Sequence, residues 1–100
     1  MNRTEILKQM LDVEPGNSFA RYGLATEYKN SGDLEGAVRE FGVLLENDPN
    51  YSAGYFHGGQ TLEKLGRLDD ARAFYRRGLD VTRDAHARGE MQAALDILGE

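Results

Sequence analysis

Apolar residues recur at three- and four-residue intervals along almost the whole chain, and no stretch alternates with the period of two that a strand needs. The pattern predicts an all-α protein of about six helices. Ile6, Leu7, Met10, Leu11 and Val13 mark an amphipathic helix over residues 3–13. Glu14-Pro15-Gly16-Asn17 stops it, since a residue before proline is driven from helical geometry and glycine and asparagine favour turns. Ser18 stands where a capping hydroxyl would start the next helix, which runs to about Asn30. Leu24, Ala25 and Tyr28 form one stripe on that helix, and Phe19, Tyr22, Thr26 and Lys29 form a second. One helix thus carries two faces of different chemistry. After the Ser31-Gly32-Asp33 turn, Leu34–Asn47 is a helix buried through Leu34, Ala37, Val38, Phe41, Leu44 and Leu45. So short a turn implies an antiparallel pair.

The same plan then returns. Ser18–Phe41 recurs as Ser52–Tyr75, shifted by 34 positions, with serine, glycine, leucine, acidic, alanine and aromatic residues kept in register. Ser52 is expected to cap a helix to Leu65, Gly66 to turn the chain, and a partner helix to follow through Leu68, Ala71, Phe74, Tyr75 and Leu79. Arg83 replaces the terminating Pro49 of the first copy, so this helix is expected to continue to about His86. Arg88-Gly89 would break it, and Glu90–Leu98 would form a last helix with Met91, Ala94, Leu95 and Leu98 on one face. Gly58 and Gly59 fall in mid-helix, at about 0.5–1 kcal/mol each relative to alanine. That cost predicts a neighbouring backbone in close approach.

Aligned on the shift, the first copy reads Arg21-x2-Leu24-Ala25-x2-Tyr28, then Ala37-x3-Phe41 and Pro49. The second reads Tyr55-x2-Gly58-Gly59-x2-Leu62, then Ala71-x3-Tyr75 without a proline. In this the chain resembles tetratricopeptide repeat proteins, whose 34-residue helix-turn-helix unit follows W-x2-L-G-x2-Y, A-x3-F and P. It departs at Arg21, Leu44, Gly58 and Gly78, which bears on local packing. Leu7, Met10 and Pro15 lie 34 positions before Phe41, Leu44 and Pro49, so the first helix resembles the second half of a preceding repeat. The resemblance implies a single domain over 1–100: a half-repeat at 3–14, repeats at 18–50 and 52–86, and a capping helix at 89–99. It also implies a short right-handed α-solenoid. Physics supports stacking independently, because one helical pair cannot bury its apolar face alone.

Composition narrows the function classes. With 40% hydrophobic and 29% charged residues in 100, the chain has the balance of a globular domain. It contains no cysteine, which removes disulfides, thiolate metal sites and cysteine nucleophiles. A formal charge of -5 and the absence of a basic stripe argue against nucleic acid as a partner. Arg72, Arg76, Arg77 and Arg83 do cluster, but Asp69, Asp70, Asp80 and Asp84 lie among them at helical spacing, as on a solvated face. No apolar run approaches membrane-spanning length and the first residues lack the layout of a secretory signal, so cytoplasm is the default expectation, with no membrane insertion.

No catalytic constellation emerges. His57 and His86 show no ligand spacing, Ser18, Ser31 and Ser52 fall at caps and turns, and Gly58-Gly59 lies inside a helix instead of in a phosphate-binding loop. Neither a metal nor a cofactor is expected. The second stripe is what remains: Phe19, Tyr22, Thr26 and Lys29 correspond under the shift to Ala53, Phe56, Gln60 and Glu63. In proteins this chain resembles, that stripe lines a concave groove for an extended peptide or a helix of a partner protein. Tyr22 and Phe56 read as partly exposed groove rings, whereas Phe19 is equally consistent with packing under the first helix. The lysine, asparagine and arginine by which some members clamp a C-terminal carboxylate are replaced here by Tyr22, Thr26, Phe56 and Gln60, so that specificity is not expected. The leading reading is a non-enzymatic module that binds a protein or peptide. The alternative is a homodimer formed through the solenoid ends, with Met91, Leu95 and Leu98 of the last helix, or through the groove. A small enzyme or nucleotide binder is the third, since fold alone does not rule out a grafted site.

Overall fold

The computed structural model describes residues 1–99 and consists of helices joined by short turns. They are α1 (Arg3–Val13), α2 (Ser18–Ser31), α3 (Leu34–Asn47), α4 (Ser52–Lys64), α5 (Leu68–Val81) and α6 (Ala85–Ile97). Each packs on the next, most extensively α2 on α3 and α4 on α5, in a stack of 42 × 27 × 19 Å. Gly32, at φ +91°, takes the left-handed conformation that ends α2, and Asp33 Oδ1 accepts the Gly36 N–H at 2.9 Å to begin α3.

Two expected caps move by one residue. Ser18 is already helical, and Asn17 before it caps α2 by accepting the Ala20 N–H at 3.0 Å. Ser52 is likewise the first residue of α4, where Tyr51 occupies the cap position without a side-chain bond. At α2 the carboxamide one position upstream reaches the free N–H of the first turn, and asparagine caps at least as well as serine.

The C-terminal region differs more. The expected run to His86 does not form: α5 stops at Val81, Thr82 is extended at ψ 142°, and Asp84 caps α6 through the Ala87 N–H at 3.0 Å. His86, Arg88 and Gly89 therefore belong to α6. The capping aspartate offers a new helix start that outweighs the loss of the terminating proline. Three residues join α5 to α6, against four before α2 and four before α4, and the register slips by one. Met91 and Leu95 consequently lie 33 positions after Gly58 and Leu62, the core residues of α4, and are themselves buried.

The core runs through the stack in three linked clusters. Leu7 and Leu11 meet Ala20 and Leu24; Ala25 meets Ala37, Phe41 and Leu44; Leu45, Tyr55, Leu62, Ala71 and Tyr75 meet Met91 and Leu95. Burial of Met91 and Leu95 spends the apolar face of α6 on its own chain, which removes them from the surface for dimerisation. Leu98 packs against the same cluster. Apolar residues remain outside at both ends of the stack, Ile6 and Val13 on α1 and Ile97 on α6.

Gly58 and Gly59 are tight for a reason other than a neighbouring backbone. A Cβ on Gly58 would lie 2.5 Å from Cε2 of Phe74, and one on Gly59 would lie 2.6 Å from Cζ of Tyr75. Aromatic rings of α5, not its main chain, fill the space.

Candidate functional site

The two sides of the stack are not equivalent. The backbones of α2 and α4 approach each other, as do those of α4 and α6, whereas the backbones of α1, α3 and α5 stay apart among the described residues, with Phe74 of α5 reaching the cluster of Ala25, Ala37, Phe41 and Leu44 by its ring. The side on which alternate helices converge holds Tyr22, Lys29, Phe56, Gln60 and Glu63 of the second stripe.

A row of rings runs along this side. Tyr51 lies 5.3 Å from Tyr22 between centroids, Tyr22 5.9 Å from His57, His57 5.4 Å from Phe56, and Phe56 6.2 Å from Tyr75. Tyr22 also meets Phe41 at 6.2 Å, so its ring is half-buried at the junction of core and surface. Phe56 is half-buried in the same way. Burial pushes the hydroxyls of Tyr22 and Tyr51 above the usual range. Tyr75 is pushed up further, first by burial and then by its hydrogen bond to Glu63 Oε2.

Polar groups sit beside the rings. Lys29 Nζ donates to Gln60 Oε1 at 3.0 Å and reaches His57 Nδ1 at 3.4 Å. An ammonium has only protons to offer, so Nδ1 is the acceptor and the neutral imidazole carries its proton on Nε2. Burial, and then Lys64, lower the Lys29 pKa. Burial, and then Lys29, lower that of His57, with Glu90 opposing. Thr26 Oγ1 donates to the Tyr22 carbonyl at 2.9 Å, which ties it to its own helix.

Of the residues expected from the sequence, Lys29, Gln60 and Glu63 gather with Lys64 around one shallow depression. Phe56, Gln60 and Glu63 also border a cavity of about 280 Å³ that α6 completes with Glu90, Ala93, Ala94 and Ile97. Tyr22 joins through His57. Phe19 and Ala53 border neither space; Phe19 is 69% exposed, so α1 does not cover it. His57, Tyr75 and Glu90 complete the site and were not among the expected residues. The shift itself concealed His57, because its counterpart is Gly23, buried under Leu7, where a Cβ would lie 3.1 Å from Leu7 Cδ2. The one-residue slip before α6 likewise concealed Glu90.

Comparison with known proteins matches this geometry to one family. A tetratricopeptide repeat model matches residues 53–84. A TPR repeat-containing protein of Pseudomonas aeruginosa is 35% identical over 93 residues, covering 93% of this chain and 86% of its own length. The chain belongs to the tetratricopeptide repeat family. Among solved structures, a tetratricopeptide repeat domain protein from Salinibacter ruber superposes with a TM-score of 0.78 at 34% identity, over 83% of this chain and 96% of that one. The first TPR of Spaghetti (RPAP3), bound to the HSP90 peptide SRMEEVD, shares the fold at a TM-score of 0.80 and 18% identity, over 97% of this chain and 78% of that one. Within the tetratricopeptide repeat frame, α2 and α4 are the first helices of their repeats, α3 and α5 the second, and α6 occupies the place of a third first-helix. Among the described residues no group of three His, Asp or Glu side chains is placed to hold a metal ion, and no helix is long and apolar enough to cross a membrane.

Proposed function

We propose that this tetratricopeptide repeat chain is a non-enzymatic interaction module whose inner face, built by α2, α4 and α6, receives a segment of a partner protein. The row of rings from Tyr22 through His57 to Phe56 on the converging side carries the reading, because half-buried rings beside polar groups give an apolar contact surface with fixed hydrogen-bonding positions. A domain of the same fold with a peptide bound supports it. Dodecapeptides selected by display and titrated into ¹⁵N-labelled protein should shift the amides of Tyr22, Thr26, Phe56 and Gln60, and should lose affinity for a Tyr22→Ala, Phe56→Ala double variant that remains helical by circular dichroism. Shifts confined to α1, α3 and α5 would remove the groove assignment.

Exposed Ile6 and Val13 favour self-association as a second reading, at the N-terminal end instead of through α6. They flank a depression of about 420 Å³ with Met10 and Asn17. Sedimentation of wild type against Ile6→Glu, Val13→Glu decides it: a wild type that is monomeric at high concentration sinks the dimer.

A further inference from the structure

The inner face is chemically uneven along its length. Toward α2 it presents Lys29, and Lys64 borders the same depression. Toward α6 it opens into the 280 Å³ cavity, whose charged lining consists of two carboxylates, Glu63 and Glu90, with neither lysine nor arginine. The apolar lining there is Phe56, Ala93, Ala94 and the 83% exposed Ile97. Tyr75 closes the cavity from behind and occupies one oxygen of Glu63 by donating its hydroxyl to Oε2. Oε1 of Glu63 accepts no hydrogen bond from the described residues. Among the described residues, Glu90 Oε1 lies 3.4 Å from the exposed His86 Nε2, an ion pair only when that imidazole is protonated, which leaves its other oxygen for a ligand.

We infer that this cavity is a subsite for one basic side chain of the partner, an arginine or lysine whose alkyl stem lies on Phe56, Ala94 and Ile97 and whose cationic head meets Glu63 and Glu90. The inference rests on the reading of the inner face as a peptide groove. Its chemistry follows from the lining. An apolar floor alone would accept any aliphatic residue, and two carboxylates alone would attract a hydrated cation that gains nothing from burial. Only a ligand with a long apolar stem and a terminal charge satisfies both, as lysine and arginine do when the stem is covered and the head is solvated or paired. The face of Phe56 adds an attractive surface for the same charge. Lys29 and Lys64 bias the placement, because they repel a cation from the neighbouring depression and leave the α6 end as the favourable position.

The probe is n-butylguanidinium chloride, titrated into ¹⁵N-labelled protein at constant ionic strength beside 1-pentanol, a neutral molecule of similar length. The amides of Phe56, Glu63, Glu90 and Ala94 should shift with the guanidinium at millimolar concentration. Affinity should fall about tenfold in a Glu63→Gln, Glu90→Gln double variant, the loss expected for charge-assisted bonds near a surface. The carboxamide introduced at position 63 still accepts the Tyr75 hydroxyl, and a matching thermal melt verifies the fold. Equal occupancy by pentanol, equal affinity in the variant, or no shift at these amides would overturn the subsite. The display selection separates this failure from that of the groove. Peptides that require Tyr22 and Phe56 but show no recurrent lysine or arginine leave the groove standing and overturn the subsite. A recurrent basic residue that disappears when selection is repeated on the double variant supports it.

Discussion

The two repeats fill the same interior space by opposite means. In the first, the leading position of the motif is Arg21, whose Nη1 pairs with Glu40 Oε1 at 2.8 Å and whose Nη2 donates to the Pro15 carbonyl at 3.0 Å. In the second, the equivalent residues are Tyr55 and Phe74, whose rings meet edge to face at 6.4 Å. At this one position of the helix-helix contact an ion pair has been exchanged for a ring pair. The exchange propagates inward. Leu24 of α2 occupies the motif's leucine position, while its counterpart in α4 is Gly58, and the Phe74 ring lies where that side chain would be. Volume absent from the first helix of the repeat is thus supplied by the second. A repeat motif therefore specifies the summed packing of a helix pair more than the residue at any one position.

Tyr55→Ala tests the comparison most severely. It removes a fully buried ring, its contact with Phe74 and the hydroxyl that donates to the Pro49 carbonyl at 2.7 Å. Loss of about 3–5 kcal/mol is expected, measured as a shift of the urea midpoint. A Tyr55→Arg, Phe74→Glu double change, which writes the first repeat's ion pair into the second, should remain well below wild type. The ring pair fills a space beside Gly58 that a carboxylate would leave partly empty.

Gly58→Leu restores the family's preferred residue and should nevertheless destabilise by about 2–3 kcal/mol, because the ring of Phe74 already stands where the new side chain must go. Combined with Phe74→Ala, the same substitution should recover most of the loss, giving a coupling of about 1–3 kcal/mol in a double-mutant cycle. Additive effects would mean that the two residues do not share one space, and the comparison between repeats would collapse. In the first repeat, Arg21→Ala should cost about 1–2 kcal/mol, since it takes the close partner from the Glu40 side chain, 12% exposed, and leaves it the looser pairing with exposed Arg39 at 3.7 Å. Among the described residues the buried Arg21 Nε has no hydrogen-bond partner, which offsets part of what the guanidinium contributes.

Much of this was legible before the structure. The period of 34 and the apolar spacing gave helix positions to within a residue or two for α1 to α4, because each boundary there is written by proline, glycine or a short polar residue. The link before α6 has no proline and no glycine, only a capping aspartate at Asp84, and reading Arg83 as a failed terminator extended α5 too far. The cause of the double glycine was hidden for a related reason. A repeat comparison registers what each position lacks, while the ring that compensates sits on the other helix of the pair. Of the stripe expected from the sequence, Lys29, Phe56, Gln60 and Glu63 border the two depressions on the converging side. The stripe passed over His57, whose environment depends on Lys29 and Tyr22, contributed across the stack from α2.

His57 supplies the smallest effect and the one that links stability to the site. Its imidazole lies between Tyr22 and Phe56, and burial together with Lys29 holds its pKa below the ordinary 6.5. A proton is therefore bound more weakly by the folded chain than by the unfolded one. Stability is complete above pH 6.5 and declines as pH falls toward the folded-state value, where the charged ring opposes Lys29 and loses its acceptor Nδ1. Urea midpoints measured from neutral to mildly acid pH should show this decline in wild type and a flatter profile in His57→Gln, whose amide stays neutral throughout. The second repeat should respond first, seen as amide shifts at Phe56 and Gln60 before those of Leu24 and Ala37. Identical profiles for wild type and variant would place the acid sensitivity elsewhere and reduce His57 to a spacer between the two rings.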